Sequence, residues 1–208
     1  MNILFLMDPV ESINPKKDST YLLIKESLKR GYKAYFLSPK NLSISNNTLI
    51  FKCNKITIDN QSKKLITEKS QRIQEKDISC IWIRTDPPFN EKYLENMWFL
   101  DQVKHQIPIF NSPHGIKTVN EKIWTTQFTK YTPETLISSD KELYLQFLNK
   151  HKIVILKPLN GFGGAGIFKI EKNDSNKVVA FETLTHNLTQ PIIIQAFIPE
   201  VKEGDKRI

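Results

Sequence analysis

Four glycines within six residues, set between two apolar runs, constrain this chain more than any other part of its sequence. The run before them ends in Lys157-Pro158, and the run after them, 167–170, is rich in strand-forming residues. Because glycine tolerates positive φ and close approach of the backbone, such a loop can offer consecutive N–H groups to an anion. The sequence therefore predicts a hairpin whose loop closes over a phosphate beside Lys157; an ordinary glycine-rich turn is the alternative. The glycines are Gly161, Gly163, Gly164 and Gly166.

The loop matches neither of the two common nucleotide fingerprints. The sequence contains no G-x-x-x-x-G-K-[ST], and no G-x-G-x-x-G opens a helix. The loop by itself favours phosphate binding over a plain turn only modestly, so the distinction depends on motifs elsewhere in the chain.

Length and composition indicate a folded chain without a membrane segment. The 208 residues suit one large or two small domains, and a hydrophobic content of 39% is enough for a core. No apolar run is long enough to span a bilayer. Cys53 and Cys80 have no metal-ligand spacing, so we expect a reduced, cytoplasmic chain.

The net charge of +8 does not indicate a nucleic-acid partner. Of the 30 basic residues, 26 are Lys and 4 are Arg, and the lysines are spread along the chain instead of forming a stripe. Arginine is the residue expected for bidentate recognition of phosphates and bases. We therefore expect a scattered, solvated basic surface and no nucleic-acid binding.

The first part of the chain has the pattern of a small α/β domain with a mainly parallel sheet. A strand over 2–7, a helix from Asp18 or Ser19 to Arg30 and a strand over 33–37 form a β-α-β unit. The helix carries apolar residues at Leu22, Leu23 and Leu28, and Gly31 ends it. Residues 42–58 read as a hairpin around Asn46-Asn47, and 78–83 as a buried strand.

Charged residues follow two of these predicted strands. Asp8 comes directly after the first strand, and Arg84 and Asp86 come after the strand over 78–83. Ligands of such sheets bind beyond the carboxyl ends of the strands, so these side chains are candidates for one site. A purely structural role for Arg84 and Asp86 is an equally open alternative.

A boundary near Ser112-Pro113 separates a second α/β part. It begins with a short helix around Lys122 and a strand over 132–138, followed by a helix over 140–150 and the glycine hairpin. A helix near 178–184 and a strongly β stretch over 191–198 complete it. From the pattern alone, Lys122 suits a surface helix lysine and Gln195 a solvent-facing strand residue.

Several motifs, taken in chain order, resemble bacterial glutathione synthetase, a member of the ATP-grasp ligases. The resemblance covers essentially all 208 residues, and the Asp-Pro-Pro-Phe and Gly-Asp-Lys-Arg elements are specific to that family. The matching motifs are Met7-Asp8-Pro9, Lys17-Asp18-Ser19, Arg84-x-Asp-Pro-Pro-Phe89, Asn120-Glu-Lys122, Leu156-Lys-Pro-Leu159 with Gly161-x-Gly-Gly164, Glu182-Thr183, Gln195 and Gly204-Asp-Lys-Arg207.

The resemblance implies an N-terminal substrate domain over 1–118 and an ATP-grasp domain over 119–208. It implies an ATP- and Mg²⁺-dependent ligase that joins γ-glutamylcysteine to glycine through an acyl phosphate, and a homo-oligomer. Lys122, Lys157, Gly161, Gly163, Gly164, Gln195, Ala196, Phe197, Ile198 and Asp205 would bind ATP. Arg207 would act in catalysis by holding a phosphate or the dipeptide carboxylate. Lys17, Asp18, Arg84 and Asp86 would line the dipeptide side.

The sequence departs from the family pattern in two residues and in length. Asn160 stands where the family has an acidic residue, and Thr85 where it often has a basic one. The chain stops at Ile208, so we expect the ATP-grasp domain to be truncated, with no Mg²⁺ ligands present. We also expect the stretch over 191–198 to be a strand whose sheet partners lie beyond residue 208. A catalytically incompetent ATP- or peptide-binding remnant, or half of a split enzyme, is therefore the alternative to an active ligase.

Overall fold

The computed structural model describes residues 1–103 and 107–204 and divides the chain into two compact units, Met1–Thr118 and Val119–Ile208. Each unit has its own sheet and its own hydrophobic core. Among the described residues, no helix is long and apolar enough to cross a membrane.

The first unit is built on a mixed sheet flanked by helices. Its strands are β1 (Asn2–Met7), β2 (Lys33–Leu37), β3 (Leu42–Ser45), β4 (Thr48–Ile58), β5 (Leu65–Gln74), β6 (Cys80–Arg84) and β7 (Ile109–Phe110). Its helices are α1 (Ser19–Lys29), α2 (Glu91–Asp101) and α3 (Pro113–Thr118).

The centre of this sheet is parallel, as predicted from the β-α-β pattern. Strand β1 pairs in parallel with β2 and β6, and β6 pairs in parallel with β7. Because side chains alternate along a strand, Leu4 and Leu6 of β1 enter a core shared with α2, whereas Phe5 enters a core shared with α1. Burial on both faces explains why the first seven residues are almost continuously apolar.

Helix α1 begins and ends where the sequence predicts. Asp18 caps it by accepting a hydrogen bond from the Thr20 N–H at 2.7 Å, and Gly31 follows its end with φ +75°. Of the apolar residues named from the sequence, Leu23 and Leu28 pack against the core with Tyr21 and Ile24, whereas Leu22 is 59% exposed.

The antiparallel part of the first sheet contains one predicted hairpin and one strand that the sequence prediction missed. Strands β3 and β4 are joined by Asn46 and Asn47, both left-handed with φ of 48° and 58°, as the predicted tight turn requires. Strand β5 pairs with β4 and is exposed along most of its length. Its charged, irregular sequence gives little strand periodicity, which is why the prediction missed it.

The second unit is a four-stranded antiparallel sheet with helices on one face. Its elements are α4 (Glu121–Trp124), β8 (Thr135–Ser138), α5 (Lys141–His151), β9 (Ile153–Pro158), β10 (Phe168–Glu171), α6 (Lys177–Leu184) and β11 (Ile192–Ala196). The strand order is β10-β9-β11-β8. The core lies between the sheet and helices α5 and α6, where the rings of Tyr144 and Phe181 stack with centroids 4.4 Å apart.

Strand β11 has partners on both sides, so the expectation that its partners lie beyond residue 208 is wrong. Ile194 stands opposite Leu156 of β9 and Leu136 of β8, and its side chain is fully buried. The short strand β8 is antiparallel to β11 and closes the edge that we expected to be open. The apolar character of β11 therefore reflects a central position in the sheet.

Replacing Ile194 with Ala should lower the free energy of unfolding by about 2–5 kcal/mol, because the substitution leaves a cavity under a central strand. Ile198→Ala is the matched control: Ile198 follows the same strand, is 47% exposed, and should change stability by less than about 0.5 kcal/mol. Urea denaturation followed by circular dichroism measures both. Equal losses for the two variants would contradict the central placement of β11.

Candidate functional site

The glycine loop joins β9 to β10 as the predicted hairpin. At its root, a Cβ added to Gly161 would lie 2.5 Å from Cγ of Pro158, so only glycine fits against that ring. Near its tip, Gly164 has φ +80° and open space around it, so glycine is favoured there by the backbone conformation and not by lack of space. The loop is thus tightly packed at its base and exposed at its tip.

Lys157 lies on the sheet face opposite the helices. Its neighbour Leu156 is fully buried in the core, so alternation along β9 turns Lys157 to the other face, where it is partly buried. Its ammonium donates a hydrogen bond to Oε1 of Gln195 at 2.8 Å. In the described part of the chain, Lys157 forms no ion pair with a carboxylate. Its charge is therefore met by an uncharged amide there.

A second lysine lies in the same cleft. Asn120 caps α4 by accepting hydrogen bonds from the backbone N–H groups of Lys122 and Ile123, which fixes the start of that helix. The Lys122 side chain is only 22% exposed and pairs with Glu121 at 2.7 Å. Lys122, Lys157 and Gln195 line one cleft of about 260 Å³, together with Glu121, Thr125, Thr126, Thr132, Thr135 and Ile193.

The electrostatics of this cleft favour an anion. Burial lowers the pKa of Lys157, and the nearby positive charge of Lys122 lowers it further. Two ammonium groups that raise each other's free energy are stabilised by a bound negative charge between or beside them. A polyphosphate satisfies this requirement, whereas a neutral ligand does not.

An apolar cleft of about 500 Å³ adjoins the cleft of the two lysines, since Lys157 and Gln195 line both clefts. Its apolar wall consists of Ile155, Ile167, Ala196, Phe197, Ile198 and Val201. The backbone N–H groups of Ala196 and Phe197 donate to Glu134 and Ile153 of the neighbouring strands, so they are already used within the protein. The cleft combines an apolar lining with Lys157 at its edge, which suits an aromatic ring that carries phosphates.

A third cleft, of about 470 Å³, lies against the other side of the loop root. Asn160, His186 and Gln190 supply its polar groups, and none of the lysines and arginines that the structure describes lines it. It is larger than the cleft of the two lysines but has no fixed positive charge for a phosphate. We therefore place no phosphate there.

In the first unit, the structure brings together side chains at the carboxyl ends of β1 and β6. Met7 and Arg84 are opposite each other in the parallel pair, and Asp8 follows Met7. The Asp8 carboxylate accepts a hydrogen bond from the backbone N–H of Asp86 at 2.8 Å. Arg84 donates to the hydroxyls of Thr20 at 3.0 Å and Ser19 at 2.8 Å, both in the first turn of α1.

Arg84 is therefore oriented by neutral groups, and its other N–H groups donate to no described residue. The described residues hold no ion pair of this guanidinium, which has five donors in a planar fork. Asp18 is occupied in capping α1, and Lys17 and Asp86 are exposed beside it. A fixed arginine next to carboxylates is suited to a zwitterionic ligand, such as the head group of an amino acid.

Two of the predicted site residues have no described position, and two residues that line the clefts were not predicted. Asp205 and Arg207 lie outside the described residues. Thr135 and Ile155 line the clefts but were missed from sequence. Ile155 follows from strand alternation, being two residues before Lys157, whereas Thr135 requires the register between β8 and β11, which the sequence pattern does not specify.

Comparison with protein families identifies the chain. Residues 1–117 match the N-terminal domain of prokaryotic glutathione synthetase, and residues 121–208 match the ATP-grasp domain of the same enzyme. This chain belongs to the prokaryotic glutathione synthetase family. Glutathione synthetase of Nitrosomonas europaea is 36% identical over the whole chain, and that of Buchnera aphidicola subsp. Baizongia pistaciae is 35% identical. The chain spans 67% and 65% of the lengths of these two proteins.

Solved structures with a similar fold are ATP-grasp ligases. The macrocyclase MdnC of Microcystis aeruginosa, bound with its precursor peptide, has a TM-score of 0.61 at 16% identity, over 96% of this chain and 66% of its own. An ATP-grasp ligase of Chryseobacterium gregarium, in complex with ADP and peptides, has a TM-score of 0.57 at 18% identity, over 94% and 62%. The predicted family and the α/β fold class with an ATP-grasp part are confirmed, and the first sheet is parallel at its centre but mixed as a whole.

Replacing Lys157 with Met should stabilise the unliganded chain at neutral pH. Because the fold lowers the pKa of Lys157, its charged form costs folding free energy below that pKa. The cost disappears as the pH rises through the folded pKa toward the ordinary lysine value, so the gain of the variant should shrink there. Urea denaturation at pH 7 and at about pH 10 measures the difference, near the ordinary lysine pKa.

Lys172→Met is the control for that measurement, since Lys172 is exposed on the same unit. It should show neither the gain at neutral pH nor its decline. A loss of stability at pH 7 in Lys157→Met would contradict the electrostatic account of the cleft.

Proposed function

We propose that the second unit binds ATP and that the chain takes part in ATP-dependent ligation of γ-glutamylcysteine to glycine, which forms glutathione. The observation that carries this proposal is the pair Lys122 and Lys157, which share one cleft beside an apolar cleft next to the glycine hairpin. Membership of the glutathione synthetase family supports it, and the chain spans about two thirds of its relatives' length.

In the proposed complex, adenine occupies the apolar cleft and the phosphates reach the lysines. Ala196, Phe197 and Ile198 would form the edge on which the ring rests, and the apolar lining of the cleft supports that role. Carbonyl groups there would read the polar edge of adenine, because the N–H groups of Ala196 and Phe197 are bonded within the sheet. Gly161, Gly163 and Gly164 would cover the phosphates with the exposed loop.

The proposed chemistry transfers the γ-phosphoryl group to the carboxylate of γ-glutamylcysteine. That carboxylate attacks the γ-phosphorus, the bond to ADP breaks, and the amine of glycine then attacks the acyl phosphate and releases phosphate. Negative charge builds on the transferring group and on the leaving ADP, and the two ammonium groups stabilise it. The glycine loop would exclude water, which otherwise hydrolyses an acyl phosphate.

The dipeptide is proposed to lie at the strand ends of the first unit. Arg84 would bind a carboxylate with its unused donors, and Asp86, Lys17 and Asp18 would line the same site. The γ-glutamyl group keeps a free amine and a free carboxylate, and the mixture of arginine and carboxylates at these strand ends supports recognition of both.

Other parts of the proposal rest on the family resemblance. Asp205 would lie near the ribose or the metal, and Arg207 would hold a phosphate or the dipeptide carboxylate. Within residues 1–103 and 107–204, no three His, Cys, Asp or Glu side chains are grouped to hold a metal ion. We derive no step through Mg²⁺. A homo-oligomer in the cytoplasm, with small-molecule substrates and no nucleic acid, completes the proposal.

A second candidate function is nucleotide and peptide binding without turnover by this chain alone. The observation that favours this candidate is coverage, because the chain spans about two thirds of its relatives' length. The two candidates share the ATP cleft and differ only in turnover.

Lys157→Met should weaken ATP binding roughly tenfold or more, because it removes a hydrogen bond from a charged group to phosphate. Isothermal titration of the 208-residue chain with ATP measures the dissociation constant, and Lys172→Met provides the matched control. Unchanged affinity in Lys157→Met would overturn the phosphate role of Lys157. No binding of ATP to the unmodified chain would overturn the proposed function.

Turnover then separates the two candidates. Phosphate release that depends on ATP, Mg²⁺, glycine and γ-glutamylcysteine, and that is matched by glutathione formed, would establish the ligase on these residues. ATP binding without any release from the same folded chain would establish the binding function and exclude independent turnover.

Arg84→Ala should weaken γ-glutamylcysteine binding roughly tenfold or more while leaving ATP affinity unchanged, since a carboxylate loses its charged partner. Arg72→Ala is the control, because Arg72 is exposed on β5 of the same unit. Calorimetric titration with the dipeptide and with ATP measures both effects. A loss of ATP affinity with unchanged dipeptide affinity would reject the assignment of Arg84.

A further inference from the structure

Three side chains form a continuous chain of hydrogen bonds across neighbouring strands of the second unit. Lys157 of β9 donates to Oε1 of Gln195 at 2.8 Å, and Nε2 of Gln195 donates to the hydroxyl of Thr135 at 2.9 Å. The Thr135 hydroxyl then donates to the carbonyl of Pro133 at 2.7 Å. This series of hydrogen bonds therefore ends on a backbone carbonyl.

The direction of these bonds is determined by chemistry. An ammonium can only donate, so the amide oxygen of Gln195 must face Lys157 and its NH₂ group must face Thr135. The backbone carbonyl can only accept, so the threonine hydroxyl donates to it and accepts from Gln195. Every group along the chain thus has one orientation.

The sheet places the three residues on one face. Thr135 stands directly opposite Gln195 in the pair β8–β11, and Lys157 stands opposite Ile193, two residues from Gln195. Residues two apart on a strand share a face, so all three side chains project away from helices α5 and α6. They line the cleft that also contains Lys122.

We propose that Gln195 is a positioning residue for Lys157, holding its ammonium toward the nucleotide phosphates without cancelling its charge, and that Thr135 fixes the orientation of the Gln195 amide. The proposal rests on the proposed function, because it assigns Lys157 to the phosphates. It assigns Gln195 a role through Lys157, whereas the family resemblance places Gln195 only among the residues that would contact ATP.

A neutral acceptor has a specific advantage at this position. A carboxylate in the place of the amide would pair with Lys157 and leave less positive charge for the phosphates. Lys122 does have a carboxylate partner, Glu121, but that side chain is 76% exposed and well solvated. No carboxylate in the described part of the chain pairs with Lys157, so its charge remains available to a ligand. Burial and the nearby charge of Lys122 lower the pKa of Lys157.

The two possible roles of Gln195 predict different ligand dependence. A residue that acts through Lys157 should change the affinity only for ligands that carry phosphates, so it should not change the affinity for adenosine. A residue that contacts adenine should affect adenosine and ADP alike. Pyrophosphate, which has no base, reports on the phosphate part alone.

The decisive experiment is titration of the 208-residue chain and its Gln195→Glu variant with ADP, adenosine and pyrophosphate. We expect the variant to bind ADP and pyrophosphate roughly tenfold more weakly, the equivalent of one charge-assisted hydrogen bond, and to bind adenosine as before. Gln146→Glu is the control for added charge, because Gln146 is exposed on α5 and should change none of the three affinities.

A second variant keeps the test valid if Gln195→Glu fails to fold. Thr135→Val frees the amide of Gln195 without adding charge, and it should lower the affinities for ADP and pyrophosphate by a smaller factor while sparing adenosine. Equal losses for adenosine and ADP in either variant, or unchanged ADP affinity in folded Gln195→Glu, would overturn the positioning role. No binding of ADP by the unmodified chain would instead overturn the proposed function itself.

Discussion

A sheet that packs helices on one face must present its other face to water or to a ligand, and the second unit depends on this asymmetry. Its helix-covered face carries the apolar residues that stabilise the fold, including Leu156 and Ile194. The open face can therefore hold Lys157 partly buried, because the core on the other face supplies the free energy of folding that offsets the burial of this ammonium. Burial and the nearby charge of Lys122 cost free energy, which the proposed binding of an anion would recover. The cleft is in this sense less stable by itself than when it is filled, which is typical of binding sites.

The first unit solves a related problem with neutral groups. Two hydroxyls in the first turn of α1 orient the guanidinium of Arg84, as the amide of Gln195 orients Lys157. In both units neutral dipoles orient the cation, and no carboxylate among residues 1–103 and 107–204 forms an ion pair with it. This shared device separates such residues from surface cations such as Arg30, which pairs with Glu26 one turn away on the same helix.

The sequence predictions succeeded where local chemistry determines the structure. The cap at Asp18, the turn at Asn46-Asn47 and the glycine hairpin each depend on a few adjacent residues, and each is present in the structure. The predictions failed where the structure depends on pairing between strands that are distant in the sequence. The pairing of β11 with β8, and hence the contact of Thr135 with Gln195, joins residues sixty positions apart. Alternation along one strand cannot reveal which strand lies beside it.

The root and the tip of the glycine loop limit sequence change for different reasons. At Gly161 the limit is space, because Pro158 occupies the volume where any side chain would begin. At Gly164 the limit is handedness, because nothing crowds the position but its backbone has the mirror-image conformation of an ordinary L-residue. A D-amino acid would therefore suit the tip as well as glycine does, yet ribosomal synthesis offers only the achiral residue. Glycine at the tip is thus a consequence of the chirality of the available amino acids, whereas glycine at the root would be required in any case.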